Sequence, residues 1–353
     1  MSTLQLPGSS YSTEVNLNGL IEVLSKHLYS TPVVAVRELV QNGHDAIVRR
    51  RIEQPDAPKD NAIRVVADVA KSIITITDTG AGLTESEIHG FLATVGVGYT
   101  RMLRQQDDNT GLIGMFGLGF LSAFVLAKEV TVLTTSWQTP DQRWKYHSTD
   151  GQKYTVTPYE SSETGTQVIL TLKEEYSHLA SNNLLNRVLS RYCILLHEPV
   201  YVGDAGEPVN KLQPPWREVA PEGVTMHRAL VQRKNLAFAA QFESSFEPIC
   251  TIPVVPAGMS DAVGILWIQD GATYGTSDNR NLSLFLRGML LDDEARELLP
   301  PWAGFIGGVI ESSKLTPTAS REDLQRDETW VAVQEALKEA LISGLSDLAQ
   351  NQP

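Results

Sequence analysis

Glu38, Asn42 and Asp45 stand at i, i+4 and i+7 in the segment Glu38-Leu39-Val40-Gln41-Asn42-Gly43-His44-Asp45-Ala46. On a helix that spacing sets an acid, an amide and a second acid along one face. Val34, Val36, Leu39, Val40, Ala46 and Ile47 surround them. Polar groups on a largely buried helix are costly unless they have polar partners. Further on, Asp78-Thr79-Gly80-Ala81-Gly82 puts an acid at the end of the run Ile73-Ile74-Thr75-Ile76-Thr77. A carboxylate there accepts a hydrogen bond from an exocyclic amine such as adenine presents. Gly80 and Gly82 admit φ > 0 and close approach of a base. The third segment, Gly114-Met115-Phe116-Gly117-Leu118-Gly119-Phe120, is a glycine-rich turn leading into an apolar helix, where backbone amides would face phosphate. An acid for a base, amides for phosphate and an amide oxygen for a metal together describe a nucleotide pocket.

Each residue also has a plainer reading. Glu38 is the candidate general base, one turn before Asn42 and able to polarise a water near a phosphate; alternatively it pairs with Arg37 or with Arg49–Arg51. Asn42 offers a neutral oxygen to Mg²⁺, whose shell otherwise keeps water and phosphate oxygens; alternatively it satisfies helix backbone. Asp45 either holds a water at the nucleotide or positions the helix. Asp78 alone would read as an ordinary Asp-Thr-Gly turn. The Thr166 hydroxyl, in Gly165-Thr166, would complete the adenine side. No Gly-Lys-Ser/Thr follows the glycines, so the loop is not a Walker A, and Ser122 stands where a dinucleotide fingerprint would need a third glycine. In Ser320-Arg321-Glu322-Asp323, Arg321 is either a solvated residue of a capped helix start or a γ-phosphate sensor of arginine-finger type. Gln325 would lie on the same face. His44 reads as an uncharged histidine on the helix surface, and Trp137, Trp144 and Trp302 as anchors rather than a base-stacking platform.

The elements that must position these residues follow from pattern. Residues 14–50 read as two helices, Leu17 to Leu28 and a second opened by Pro32. Strands follow at Ile63–Ala67 and Ile73–Thr77, then a glycine-rich stretch at 84–126 reads as a mobile lid. Strands at Val130–Trp137, Trp144–His147, Tyr154–Thr157 and Gly165–Leu172 and a helix at Asn183–His197 complete a first domain, 1–203. Prolines and glycines at 204–235 read as a linker. A second domain, 236–353, would carry strands at Phe238–Phe242, Ala262–Gln269 and Leu282–Leu286, then helices at Pro301–Ile310 and from Ser320. The 353 residues suit about two domains, with 42% hydrophobic and 20% charged residues fitting a packed core. A formal net charge of -13 disfavours a general nucleic-acid grip. Two distant cysteines, Cys193 and Cys250, give neither a disulfide framework nor a zinc spacing and fit a reducing cytosol. Met1 to Glu14 lacks the blocks of a signal peptide, and no apolar run approaches a membrane span; Phe120–Ala127 is among the longest.

Arg37 to Ala46, Asp78 to Thr84 and Ile113 to Phe124 resemble three motifs of the heat-shock protein 90 chaperone family, within the GHKL ATPase superfamily. The glycine segment is the most specific; the gyrase, MutL and sensor-kinase sister families carry different sequences there. Leu284 to Asp293 and Leu315 to Gln325 resemble that family's middle domain. The resemblance implies an α+β protein: an N-terminal Bergerat α/β sandwich with a mostly antiparallel sheet, then an α/β middle-type domain, here partial. It implies an ATPase using ATP and Mg²⁺, with Glu38, Arg321 and Gln325 catalytic. Asn42, Asp45, Asp78, Gly80, Gly82, Gly114, Gly117, Gly119, Phe120 and Thr166 would bind ATP, and Asn42 the Mg²⁺. It implies a cytoplasmic chaperone acting on unfolded client proteins, homodimeric in a longer form, with no membrane or nucleic-acid partner. Val97 stands where the family usually has a basic residue. A nucleotide-gated signalling module is the alternative, and a DNA-topology or repair ATPase a more distant one.

Overall fold

The computed structural model describes Gly19, Ile21 and residues 31–94, 112–113, 119–160, 163–218, 227–271, 278–318 and 323–351. The first long helix, α1 (Val34–Glu53), follows the turn that contains Pro32 and has Arg50 and Arg51 in its last turn, where cations complement the helix dipole. It buries thirteen of its twenty residues. It packs on a seven-stranded sheet formed by β1 (Ile63–Asp68), β2 (Ile73–Asp78), β3 (Ala127–Thr135), β4 (Arg143–Ser148), β5 (Tyr154–Pro158), β6 (Gly165–Leu172) and β7 (Val200–Val202). The order is β5-β4-β3-β6-β2-β1-β7, antiparallel except for the β1–β7 pair. A short helix, α2 (Ala123–Leu126), leads into β3, and α3 (Asn182–Tyr192) packs on β1. The core fills the space between α1 and the sheet with Val36, Leu39, Val40, Ile47, Ile74, Ile76, Phe124 and Leu170. Burying such side chains contributes about 1.5–3 kcal/mol each.

The second unit has helix α4 (Arg228–Ala239) and five strands, β8 (Pro248–Val254), β9 (Val263–Gln269), β10 (Asn281–Leu286), β11 (Met289–Asp292) and β12 (Ile306–Ser312). They are ordered β11-β10-β12-β9-β8, with only β10 and β12 parallel. The final helix, α5 (Glu328–Asn351), packs on β8 through Val333, Leu337 and Leu341. The fold is therefore α+β, two helix-covered sheets in succession. Met289 joins the first core and Leu195 packs with Trp267, Phe285 and Val309, so apolar contact is continuous between the units.

Four expected elements come out differently. Phe238–Phe242 is not a strand; Phe238 sits near the end of α4, whose Ala, Leu, Arg, Gln and Lys residues favour helix and which begins inside the expected linker. Pro301–Ile310 is not a helix; its apolar end belongs to β12, a strand buried at every position, whose Gly307 and Gly308 leave space for Trp267 and Leu266. The helix expected over 183–197 ends at Tyr192. The last helix starts at Glu328, capped by Asp327, whose carboxylate accepts from Trp330 N at 3.0 Å. Gln325 therefore lies on no helix face. Strands β7 and β8 were not read from sequence; β7 is three residues long, and β8 carries Pro248 and Pro253, which an edge strand tolerates.

Candidate functional site

Glu38 and Asn42 of α1 stand beside Gly119, the last glycine of the glycine loop, while Gly43 and Ala46 of the same helix meet Asp78 and the turn after β2. Glu38 is 2% exposed, and its Oε1 accepts from Arg37 Nη2 at 3.3 Å. Asn42 is exposed on a helix whose neighbouring positions are buried. A Cβ added to Gly119 would lie 3.3 Å from Asn42 Oδ1 and 3.4 Å from Glu38 Oε2. The glycine thus leaves space beside an acid and an amide oxygen, a cradle that any side chain would fill. Ser122 Oγ donates to Gly119 O at 2.6 Å and fixes the turn. Among the described residues no cluster of three or more His, Cys, Asp or Glu could hold a metal ion. One neutral amide oxygen beside Gly119 fits Mg²⁺ only if phosphate and water complete its shell.

Asp78 lies directly across from Gly43, whose added Cβ would sit 3.2 Å from Asp78 Cβ. Its Oδ1 accepts from Gly80 N at 2.8 Å, and a backbone hydrogen bond from Thr166 reaches the same carboxyl. Burial raises its pKa from an ordinary 3.8 to about 7, against the smaller opposing effects of those two backbone donors and Arg50. Arg50 Nη1 donates to Thr79 O at 2.9 Å, and Ala81 N to Ala46 O at 2.9 Å, so the turn after β2 is fastened to α1. Of the two glycines expected to need φ > 0, only Gly82 does, at φ 65°. Gly80 is required for a different reason: its Cβ would stand 2.5 Å from the backbone carbon of Ala46.

Asp45 accepts from Ile113 N at 2.8 Å, and His44 Nδ1 lies 3.3 Å from the same oxygen. In this structure Asp45 therefore holds the backbone just ahead of the glycine loop. His44 is 2% exposed, not a surface histidine, because α1 is covered at nearly every phase of its turn. Thr166 pairs with Asp78 across β2 and β6, and its Oγ1 meets Thr134 Oγ1 at 3.1 Å. Phe120 turns its ring onto Phe124 and Tyr146, with centroids at 6.2 and 5.6 Å, so that side chain is a core anchor. Trp137 donates to Glu53 at 2.8 Å, and Trp302 is exposed; neither forms a stacking platform.

Gly114, Gly117, Val97 and Arg321 lie outside the described residues. Gln325 is exposed; its N donates to Thr316 O at 2.8 Å and its Nε2 to Pro317 O at 3.4 Å, so its hydrogen bonds stay within its own loop. Sequence reading missed Thr134 and Arg50. Thr134 accepts from Leu83 N at 2.9 Å and links that backbone to Gly165 O and Thr166. A threonine in mid-strand carries no local signal for such a role. Arg50 had one: a basic residue a helical turn beyond Ala46, on the face that Gly80 contacts.

The arrangement gives an acid beside an amide oxygen and a glycine cradle, with a second, desolvated acid beneath a turn. Residues 29–184 match the family described as histidine kinase-, DNA gyrase B- and HSP90-like ATPase, and residues 268–353 match the Hsp90 protein family. Among curated relatives, the chaperone protein HtpG of Chlorobium phaeovibrioides is 27% identical over 98% of this chain and 57% of its own length. That of Chlorobaculum tepidum is 26% identical over 97% of this chain and 57% of its own. That of Methylorubrum populi is 29% identical over 94% and 55%. The chain thus spans a little over half the length of the curated relatives it matches. Both family matches occur in one order on one chain, and the relatives align along nearly all of it: a histidine kinase-, DNA gyrase B- and HSP90-like ATPase segment is followed by an Hsp90 protein segment, and the chain is similar to HtpG chaperones throughout.

Proposed function

We propose that the chain binds ATP with Mg²⁺ on the α1–β2 face, hydrolyses it, and uses the cycle as a molecular chaperone for unfolded client proteins. The observation that carries the reading is the convergence of Glu38 and Asn42 on the space left by Gly119, with Asp78 desolvated at the neighbouring strand end. In this reading the Asp78 carboxylate accepts the adenine amine, with Thr166 and Thr134 ordering its surroundings. Asn42 Oδ1 would hold the metal, which when bound neutralises phosphate charge. Glu38 Oε2 faces the Gly119 space, whereas Oε1 is engaged by Arg37; Glu38 takes the proton of the attacking water. Glycine-loop amides, including those of Gly114, Gly117 and Gly119, would face the phosphates. Arg321 would stabilise charge on the transferred phosphoryl group, with Gln325 nearby. Residues 84–126 would act as the lid, 1–203 as the nucleotide domain, 204–235 as the linker and 236–353 as part of a middle domain.

The relatives' names supply the chaperone part of this reading, and a homodimer of a longer form belongs with it. Two free cysteines support a cytoplasmic, reducing setting, and the net charge of -13 supports protein rather than nucleic-acid partners. Among the described residues no helix is long and apolar enough to cross a membrane. The test is calorimetry with ADP and ATP, phosphate release with and without Mg²⁺, and suppression of aggregation of a thermally unfolded protein. Nucleotide binding and turnover without any nucleotide-dependent effect on aggregation would reject the chaperone part and leave the ATPase.

A further inference from the structure

Arg287 and Gly288 form the two-residue turn between β10 and β11, with φ of 52° and 83°. Such a turn favours Asn-Gly, and a long side chain at its first position is strained. Arg287 is 8% exposed, and its guanidinium joins two separate parts of the molecule. Nη1 donates to Leu112 O in the first unit, and Nη2 to Ser313 O in the second, at 2.9 Å. The backbone of Arg287 also donates to Ser312 O at 3.1 Å.

Both anchored segments lead to the proposed chemistry. Leu112 is followed by Ile113, whose N–H is held by Asp45 of the site helix, and then by the glycine loop. Ser313 begins the segment that carries Arg321. Its root is fixed by Asp261, whose carboxylate accepts from Ser312 Oγ, Ser313 N and Ser313 Oγ at 2.6–2.7 Å. Thr318 N donates to Asp323 O at 2.8 Å, so the residues flanking 319–322 are drawn together. We propose that Arg287 is a positioning residue that sets the start of the glycine loop and the root of the Arg321 segment in one register by gripping Leu112 O and Ser313 O with two arms of one guanidinium. This rests on the ATPase reading above. A lysine has the charge but not the fork, so it cannot hold two carbonyls in the same geometry.

The test uses Arg287→Asn in the full chain, because asparagine suits the turn and removes only the reach. Arg287→Asn should lower kcat about 10- to 100-fold, the scale of small misplacements of reacting groups. ADP affinity and KM for ATP should stay within about threefold of the parent, by this same positioning argument. Arg287→Lys should not restore kcat. In an Arg321→Ala background, Arg287→Asn should cause little further loss, because groups that act through one another are not additive. Parent-like turnover of a folded Arg287→Asn chain would overturn the proposal, as would full rescue by lysine or an undiminished effect in the Arg321→Ala background. If the parent chain releases no phosphate from ATP, the ATPase reading itself has failed; a parent that turns over beside an unaffected Arg287→Asn chain means that only the positioning role has failed.

Discussion

Replacing Asp78 by asparagine separates what the residue does for nucleotide from what it costs the fold. Its pKa, raised from 3.8 to about 7, means that the folded chain holds the proton more tightly than the unfolded chain. The stabilisation from this group is therefore fully present below about pH 4, is lost as pH rises toward 7, and is absent above it. A shift of that size corresponds to about 4 kcal/mol of burial cost at pH 8. Asparagine is neutral throughout, and its carbonyl oxygen still accepts from Gly80 N. Asp78→Asn should therefore unfold several degrees higher than the parent at pH 8, with the advantage shrinking toward pH 5. The same change removes the charged acceptor for the adenine amine, worth roughly 1.5–3 kcal/mol, or about 10- to 150-fold in ADP and ATP affinity alike. Thermal melts across pH 5–8 and ADP calorimetry read both effects. In the parent, binding near pH 7 should release a proton, so the measured heat should vary with the ionisation enthalpy of the buffer. A variant no more stable than the parent at pH 8, or one that binds ADP normally, would refute the reasoning.

Three further outcomes follow. Glu38→Ala should bind ATP yet hydrolyse it at least ~100-fold more slowly, the scale of general-base losses, whereas Asn42→Ala should weaken nucleotide binding itself; calorimetry and phosphate release distinguish them. Arg321→Ala should leave ADP affinity nearly unchanged and lower turnover substantially, because the charge it would stabilise grows at the transition state; a variant with parent-like turnover returns Arg321 to its plain reading as a solvated residue. Gly80→Ala should destabilise the chain by about 3 kcal/mol, the upper part of the overpacking range, because its methyl meets the Ala46 backbone at 2.5 Å rather than a movable side chain; a denaturant midpoint close to the parent's would count against that packing.

Much of the first unit was legible because its periodicities are strong and local. Ile63–Asp68 and Ile73–Asp78 alternate as paired antiparallel strands do, and the structure extends each expected strand by one residue. The second unit was harder for identifiable reasons. β12 is buried on both faces, so it shows an apolar run without alternation, and Gly307-Gly308 weakens its β propensity. Those glycines are explained by Trp267 and Leu266 on the neighbouring strand, contacts no local pattern contains. α4 was hidden because the prolines and glycines that precede it drew the linker reading past its start. Capping supplied the other error: Ser320 resembled a helix start, but the helix begins after Asp327, whose carboxylate caps it.

Within the site, residue types and spacing were legible and partners were not. Glu38, Asn42 and Asp45 declare one helix face, and Asp78 declares a strand end, because both statements need only a few consecutive residues. What each acid touches depends on elements far away in sequence. Asp45 holds Ile113, Asp78 lies beneath Thr166, and Thr134 links Leu83 to Thr166. Arg37 and His44 are exceptions, each adjacent in sequence to the acid it meets. This pattern of partners also bears on how binding and hydrolysis divide. Asn42 is exposed and Asp78 lies at the turn, so groups proposed for binding do not depend on Glu38 changing its contact. Glu38 is different: one of its oxygens is held by Arg37 while the other faces the Gly119 space. In the proposed hydrolysis the proton goes to that second oxygen, so turnover would depend on where the phosphate lies. Affinity and turnover should therefore be separable by single substitutions along one helix, with Asn42 moving the first and Glu38 the second.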